Sequence, residues 1–255
     1  MSDKKISLLE AILTPLTLDD LKEHYTDARC FVVEGKEDKF DGLVTPEDIE
    51  RRLNDGCNAS VFAQAIKDGN RSANVDANCV WSPGSLRKAQ LLADIQAGNS
   101  FMMANSSQVS KGIRKLCDQL EAFFADDHIH ADAHLYVSMN DSGNSYNAHR
   151  DLPQHKLLIQ AIGSANWQLF DVKKDIPDSV MAITPETQDE YLELASEFTL
   201  SQGDALYMPP GVFHKVVSVP GPRVSVSIPF YAMPTASKMD RTYIPFAKMF
   251  AAASL

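Results

Sequence analysis

His149 and Asp151 flank a single arginine in "SYNAHRD", with apolar, alternating segments on both sides. In a β-strand, residues i and i+2 point to the same face, so an imidazole and a carboxylate at this spacing can reach toward one point. A third donor stands in "GDALYMPPGVFHKVV", where His214 follows Asp151 by 63 residues. Two imidazoles and one carboxylate can hold a divalent metal on one face and leave the opposite positions open. That arrangement suits non-haem Fe(II) oxygen chemistry. An HxD pair alone is a weak signal, because a surface histidine near a turn aspartate recurs by chance. The later histidine ends a strand-turn-strand phrase in the same half of the chain, and this strengthens the trio.

The elements around these residues must bring three distant donors together. After about residue 130 the sequence reads as short apolar or alternating segments: "AHLYVSM", "KLLIQAIG", "NWQLFDV", "SEFTLSQGD", "ALYMPPG", "HKVVSV" and "RVSVSIPFY". Gly, Pro, Asn and Asp turns separate them, which predicts many short strands in a jelly-roll sandwich or small barrel. Before residue 130 the period is mostly helical. Thr17 and Asp20 mark one helix start. Thr45, Pro46 and the acids after them mark another, with Gly56 beyond its end. Ser85 is the expected cap of a helix in "SPGSLRKAQLLADIQAG", and Ile113, Leu116, Leu120 and Phe123 share one helical face. "CFVVEG" is a short strand. The tail "TASKMDRTYIPFAKMFAAASL" reads as a turn and a short helix.

The fold class expected is therefore α+β. A mostly helical portion over 1–130 precedes a double-stranded β-helix, or cupin-like jelly roll, over 131–235, and a short tail follows over 236–255, all as one domain. Composition sets further bounds. The chain has 255 residues and a net charge of −10, with 44% hydrophobic and 23% charged residues. That acidity argues against a general phosphate-neutralising surface, so no nucleic-acid partner is expected. No apolar run reaches about 18 residues and the first residues lack a signal-peptide pattern, so no membrane span is expected and the cytoplasm is the expected compartment. Cys30, Cys57, Cys79 and Cys117 form no CxxC pair and read as reduced thiols.

"HLYVSM", "HRD", "LLIQAIGSANWQLF" and "GDALYMPPGVFH" together resemble the JmjC and cupin-like 2-oxoglutarate oxygenases, in particular the ribosomal-oxygenase-type branch. "CFVVEGKEDKFDGLVTPEDIERRL" is similar to that branch's entry segment. The resemblance implies that His149, Asp151 and His214 are the three metal ligands. It implies Fe(II) as the native ion, with 2-oxoglutarate as cosubstrate and hydroxylation of an unactivated C–H bond as the reaction. Zn or Ni could replace iron in a purified sample, because affinity at such sites follows availability and the Irving–Williams order. The branch carries a C-terminal winged-helix region, for which this chain is expected to end too soon.

One position departs from the family. A Lys or Arg usually follows "LLIQ…G" and pairs with the distal carboxylate of 2-oxoglutarate. Here Ser164, Ala165 and Asn166 stand there. A dicarboxylate buried without a cation would be costly. Arg223 is the first substitute: on a strand it shares a face with Ser225 and Ser227, opposite Val224, Val226 and Ile228, and the pair resembles the "RxS" of other 2-oxoglutarate oxygenases. Ser225 would add a hydrogen bond. Lys156 is the second candidate, with a solvated strand start as its plain alternative. Tyr146 occupies a position that in the family offers a hydroxyl to the cosubstrate, and plain aromatic packing is its alternative. Trp167 is expected in the core, and His155 in a turn, with the mouth of the site as its alternative. His128, His130 and His134 are expected in a solvated loop leading into a strand.

Three functions stay open at this point. The first is an Fe(II)/2-oxoglutarate hydroxylase acting on a protein side chain or a small amino-acid-like molecule. The second is a non-catalytic cupin-like binding protein, which the missing cation favours. The third is a cupin enzyme that does not use 2-oxoglutarate. Homo-oligomerisation is left open as well.

Overall fold

The computed structural model describes residues 6–54, 62–67, 70–73, 75–76, 85–125, 128–139, 146–217 and 221–233. Gly56, Cys57, Cys79 and the expected tail helix lie outside them.

The first helices start where capping chemistry places them. Ser7 and Glu10 form a capping box at α1 (Leu8–Leu13), and Thr17 and Asp20 form one at α2 (Leu18–Thr26). Each box satisfies backbone N–H groups that the first turn leaves without partners. β1 (Phe31–Val33) follows, then α3 (Pro46–Asn54), where Thr45 and Asp48 trade the same reciprocal bonds. The portion before residue 130 is more mixed than expected. β2 (Phe62–Lys67), β3 (Asn70–Ala73), β4 (Val75–Asp76) and β5 (Ser85–Leu86) precede α4 (Lys88–Gln96), and β6 (Ser100–Ala104) precedes α5 (Lys111–Phe123). Ser85 is therefore a strand residue and not a cap. Arg87 holds the cap position of α4 and makes no side-chain cap bond. "SFMMA" forms β6 because its backbone finds a ladder on both sides, with β2 and with a strand of the later half. Long-range pairing of this kind overrides local helical period.

The second half follows the strand pattern closely. It runs β7 (Ile129–Ala131), β8 (His134–Ser138), β9 (His155–Ile162), β10 (Ala165–Val172), the short α6 (Gln188–Tyr191), β11 (Leu192–Leu200), β12 (Ala205–Met208), β13 (Phe213–Val217) and β14 (Arg223–Ala232). The larger sheet has the order β1-β12-β9-β14-β8-β6-β2-β3, with β7 also on β14, and the smaller has the order β11-β10-β13. Every pairing in both is antiparallel. Two facing antiparallel sheets with strands switching between them form the expected jelly roll.

Two switches place the site. Gly163 turns β9 of the larger sheet into β10 of the smaller one. Its φ is +66°, and a Cβ there would lie 2.2 Å from the Pro222 carbonyl oxygen, so only glycine fits. The turn after Met208 carries β12 into β13 in the same sense.

Alternation divides the larger sheet into two faces. Leu157, Ile159, Val224, Val226, Ile228 and Phe230 point outward to a core shared with Leu9, Ile12 and Leu21 of the first two helices and with Ile113, Leu116 and Leu120 of α5. The inner face meets the smaller sheet, where Leu158, Leu206 and Met208 pack against Ala165, Trp167 and Leu200. Phe170 and Phe213 point to the far side of the smaller sheet and are covered by Ile176, Ile183 and Leu192.

Candidate metal centre

His149, Asp151 and His214 converge. One ligand atom from each lies within 4.8 Å of the others. The route differs from the strand geometry expected for the HxD pair. His149 and Asp151 lie in the connection before β9, and His149 joins the sheet only through an isolated bridge to His214 and another to Ala182. The His149 amide donates to the His214 carbonyl at 3.0 Å, and the His214 amide donates to the His149 carbonyl at 2.8 Å. The Gly211 amide donates to the Asp151 carbonyl at 3.0 Å. These bonds clamp the HxD segment onto the turn that delivers His214.

Arg150 supplies the other half of the clamp. It is turned away from the three donors and buried. Its guanidinium donates to the carbonyls of Val180, Ile176 and Pro177 and stacks over the Phe213 ring at 5.0 Å. No sequence pattern points to this role, because the acceptors are backbone oxygens of a loop with no motif.

Both imidazoles have a fixed tautomer. His149 Nδ1 donates to the Asn147 carbonyl at 2.9 Å, and His214 Nδ1 donates to the Val212 carbonyl at 3.0 Å. A carbonyl only accepts, so Nδ1 carries the proton and Nε2 keeps its lone pair. Burial, then the neighbouring His149 and Lys156, holds the His214 ring well below the usual imidazole range, so it stays neutral. Burial opposes ionisation of Asp151, but Lys156 above all, then His214 and His149, outweigh it and hold the carboxyl down to about 2. Neutral imidazoles and an ionised carboxylate are the states a divalent cation requires. The donor set fits a metal with open positions.

The surrounding pocket lies between the sheets and encloses about 500 Å³ including its open mouth. Tyr136 of β8, Lys156 and Leu158 of β9, and Arg223, Ser225 and Ser227 of β14 line one wall. Trp167 of β10 and His214 and Val216 of β13 line the other, with Tyr146 and His149 at the connection. The expected polar face of β14 is therefore an inner wall. Arg223 is 3% exposed and Lys156 5%, so both cations face inward and the solvated strand start given as the alternative for Lys156 is set aside. Burial pushes the Arg223 guanidinium below its ordinary range. Ser225 donates its one hydroxyl proton to Gln160 Oε1 at 2.7 Å, so its oxygen keeps only acceptor lone pairs in this arrangement. Lys156 Nζ lies 2.5 Å from Asp151 Oδ2 as an ion pair.

Trp167 is in the core as expected and has a second role. It does pack in the inner cluster, but it also walls the pocket and stacks on His214 with ring centroids 5.8 Å apart. Its Nε1 and the hydroxyl of Ser227 are buried without a hydrogen-bond partner among the described residues. Buried donors of this kind are costly unless a ligand or water meets them. Tyr136 was overlooked in the sequence. It sits opposite Ser225 across the β8–β14 ladder, and the alternation of "HLYVSM" was its only signal. Ala165 is fully buried, and the Asn166 side chain accepts from Thr199 Oγ1 at 2.6 Å, so no cation stands at that position.

The other histidines lie elsewhere. His155 begins β9 and is not a turn residue. It shares a 2.7 Å hydrogen bond with the Tyr207 hydroxyl and stacks on Tyr25. His130 lies in β7 against Glu121, and His134 lies in β8, so the expected solvated loop is largely strand.

The JmjC domain matches residues 103–239. Among curated proteins, the chain is similar to the bifunctional lysine-specific demethylase and histidyl-hydroxylase NO66 of Drosophila grimshawi, 26% identical over 224 residues, which cover 85% of this chain and 29% of that protein. The counterpart from Aedes aegypti is 21% identical over 215 residues, covering 82% and 32%. Among solved structures, Escherichia coli YcfD superposes with a TM-score of 0.59 at 19% identity, covering 95% of this chain and 59% of that one. YcfD, described there as a ribosomal oxygenase, in complex with cobalt and 2-oxoglutarate gives 0.58 at 18% identity, covering 95% and 58%. This chain thus spans less than a third of these curated relatives and under two thirds of the solved ones. At these identities the structural likeness bears on the fold, while the family match extends over more than half of the sequence and both ends of the donor trio. The chain belongs to the JmjC-domain family.

Proposed function

We propose that this protein is an Fe(II)- and 2-oxoglutarate-dependent oxygenase that hydroxylates a protein side chain. The observation that carries this reading is the convergence of His149, Asp151 and His214 at the wall of a pocket that also holds a buried arginine. When bound there, iron would supply the chemistry that couples insertion of one atom of O₂ into a C–H bond to oxidation of 2-oxoglutarate, with succinate and CO₂ as the other products.

The chain's own residues bind, orient and exclude water. His149, Asp151 and His214 would hold the ion, with their tautomers and charge already set. Arg223 would take the distal carboxylate, with the Tyr136 hydroxyl beside it, and Ser225 would add its bond by turning its O–H from Gln160 to the carboxylate. An arginine suits this task because its fork meets a carboxylate with two parallel bonds. Lys156 sits at the other end of the pocket. It pairs with Pro229 across the ladder, six residues along β14 from Arg223, which puts the two backbones roughly 20 Å apart. It is engaged by Asp151, which supports Arg223 over Lys156 as the distal clamp. Tyr146, with its ring 5.3 Å from His149, would close the metal side. Trp167 and Ser227 offer further donors to whatever fills the pocket.

The relatives' names support a protein substrate: NO66 is named for histidyl hydroxylation and lysine demethylation, and YcfD for the ribosome. The net charge of −10 suits a basic protein partner. The reading is tested by incubating protein, Fe(II), 2-oxoglutarate and O₂ with a panel of basic proteins. Succinate and a substrate mass gain of one oxygen atom are expected from wild type and neither from His214→Ala. Equal succinate release by His214→Ala, or none by iron-loaded wild type with any substrate, would sink it.

A further inference from the structure

The ion pair between Lys156 and Asp151 has no place in holding a cation. Lys156 Nζ approaches Asp151 Oδ2 to 2.5 Å, and the same oxygen faces His214 Nε2 at 3.6 Å. Oδ2 is therefore the carboxylate atom turned toward the other donors, and a metal bound by the trio must share or take it. The lysine is nearly buried, and the antiparallel ladder fixes its Cα between Met208 and Pro229. The ammonium cannot retreat to solvent without leaving the pocket wall.

We propose that Lys156 competes with the metal for Asp151 and makes metal and anionic cosubstrate bind cooperatively. This rests on the oxygenase reading for the identity of the anion, but not for the competition. Two cations on one buried oxygen repel across a space where little water screens them. Lys156 therefore weakens the hold of the trio on a bare divalent ion. Once displaced from Oδ2, its ammonium would remain in the pocket wall near the three donors and would have lost its carboxylate partner. A carboxylate arriving at the metal supplies that partner. The anion then relieves the repulsion, and by linkage each ligand strengthens the other. Arg223 at the far end of the pocket is too distant to do this and acts on the distal carboxylate alone. Lys156 is thus a positioning residue that sets the order of loading: the ion is held loosely by itself and firmly with the dicarboxylate.

The test is calorimetry with Mn(II), which needs no turnover, without O₂, on the full chain. Each protein is titrated with Mn(II) alone and in the presence of 2-oxoglutarate. Wild type reports whether the centre binds metal at all, which separates failure of the site from failure of this proposal. Lys156→Met is expected to bind Mn(II) alone at least tenfold more tightly than wild type, and to gain less from 2-oxoglutarate. Lys156→Gln, which keeps a donor for Asp151 without charge, is expected to behave in the same way and covers the case of a poorly folding methionine variant. An Mn(II) affinity that is unchanged or lower in the variants would overturn the proposal, and so would an equal gain from 2-oxoglutarate in all three proteins. In either event the lysine merely orients the carboxylate.

Discussion

His149 and His214 exchange two backbone hydrogen bonds, of 3.0 and 2.8 Å, so two proposed metal ligands from distant parts of the chain form one narrow antiparallel bridge. His149, which lies on no strand, is held to β13 by this bridge. The two ring centroids are 4.2 Å apart, and each Nδ1 is tied to a carbonyl two residues before it. The donor geometry is therefore set before any ion arrives, and whatever supports the bridge supports the centre.

Arg150 is the main support. Replacing it with alanine removes three bonds and strands the buried carbonyl of Ile176, which costs about 1–3 kcal/mol if no water reaches it, while the more exposed carbonyls of Pro177 and Val180 lose a partner that water can replace. Arg150→Ala is expected to lower unfolding stability by roughly 3 kcal/mol and to weaken Mn(II) binding, although the side chain touches no ligand atom. Denaturant unfolding and metal titration would check both. Wild-type values in both would mean that the loop is not held by this residue.

Arg223 carries the distal carboxylate in the proposed reaction. Arg223→Ala should weaken 2-oxoglutarate binding about ten- to a hundredfold, because truncating one side of a buried charge pair leaves the other unpaired. Mn(II) binding should persist, since no metal donor moves. The same calorimetry reads both. Unchanged 2-oxoglutarate affinity would move the clamp elsewhere, and Lys156 would then be the next residue to test.

Trp167 reports on the centre optically. The chain has two tryptophans, and this one stacks on His214. Adding Co(II) is expected to quench its emission strongly. In Trp167→Phe that metal-dependent quench should disappear while Co(II) still binds. Persistence of the full quench in the phenylalanine variant would place the ion nearer the other tryptophan.

His155 gives the fold a dependence on acid. Burial lowers its imidazole from 6.5 to about 4. The unfolded chain takes up that proton near 6.5, and the folded chain only near 4. Stability from this group is thus complete above about pH 6.5 and falls progressively as pH drops toward 4. His155→Phe combined with Tyr207→Phe removes the titrating ring and its hydroxyl partner together, and keeps the stack on Tyr25 and Phe230. Melting temperature measured across this range should fall less steeply in the double variant. A residual slope is expected, because burial also depresses His134 and His214. An identical slope in both proteins would exclude His155 as a source.

The strands of the second half, and the three residues that converge in the pocket, are legible in the residues alone. Period-two alternation is local, so "RVSVSIPFY" declared one polar and one apolar face without reference to any partner. The caps at Thr17 and Thr45 were equally legible, because they close within three residues. What depends on pairing across the chain emerges only when the strands pack. Packing turned "SFMMA" into a strand by giving it two neighbours, and moved Ser85 from a cap into a ladder. It also took the HxD pair off a strand and onto a bridge. Arg150 joined the backbone of a loop and Lys156 came against Asp151, contacts that no periodicity announces. Local steric and capping preferences are written in neighbouring residues. Desolvation and charge pairing depend on which distant groups share a buried space, and only the packed sheets define that space.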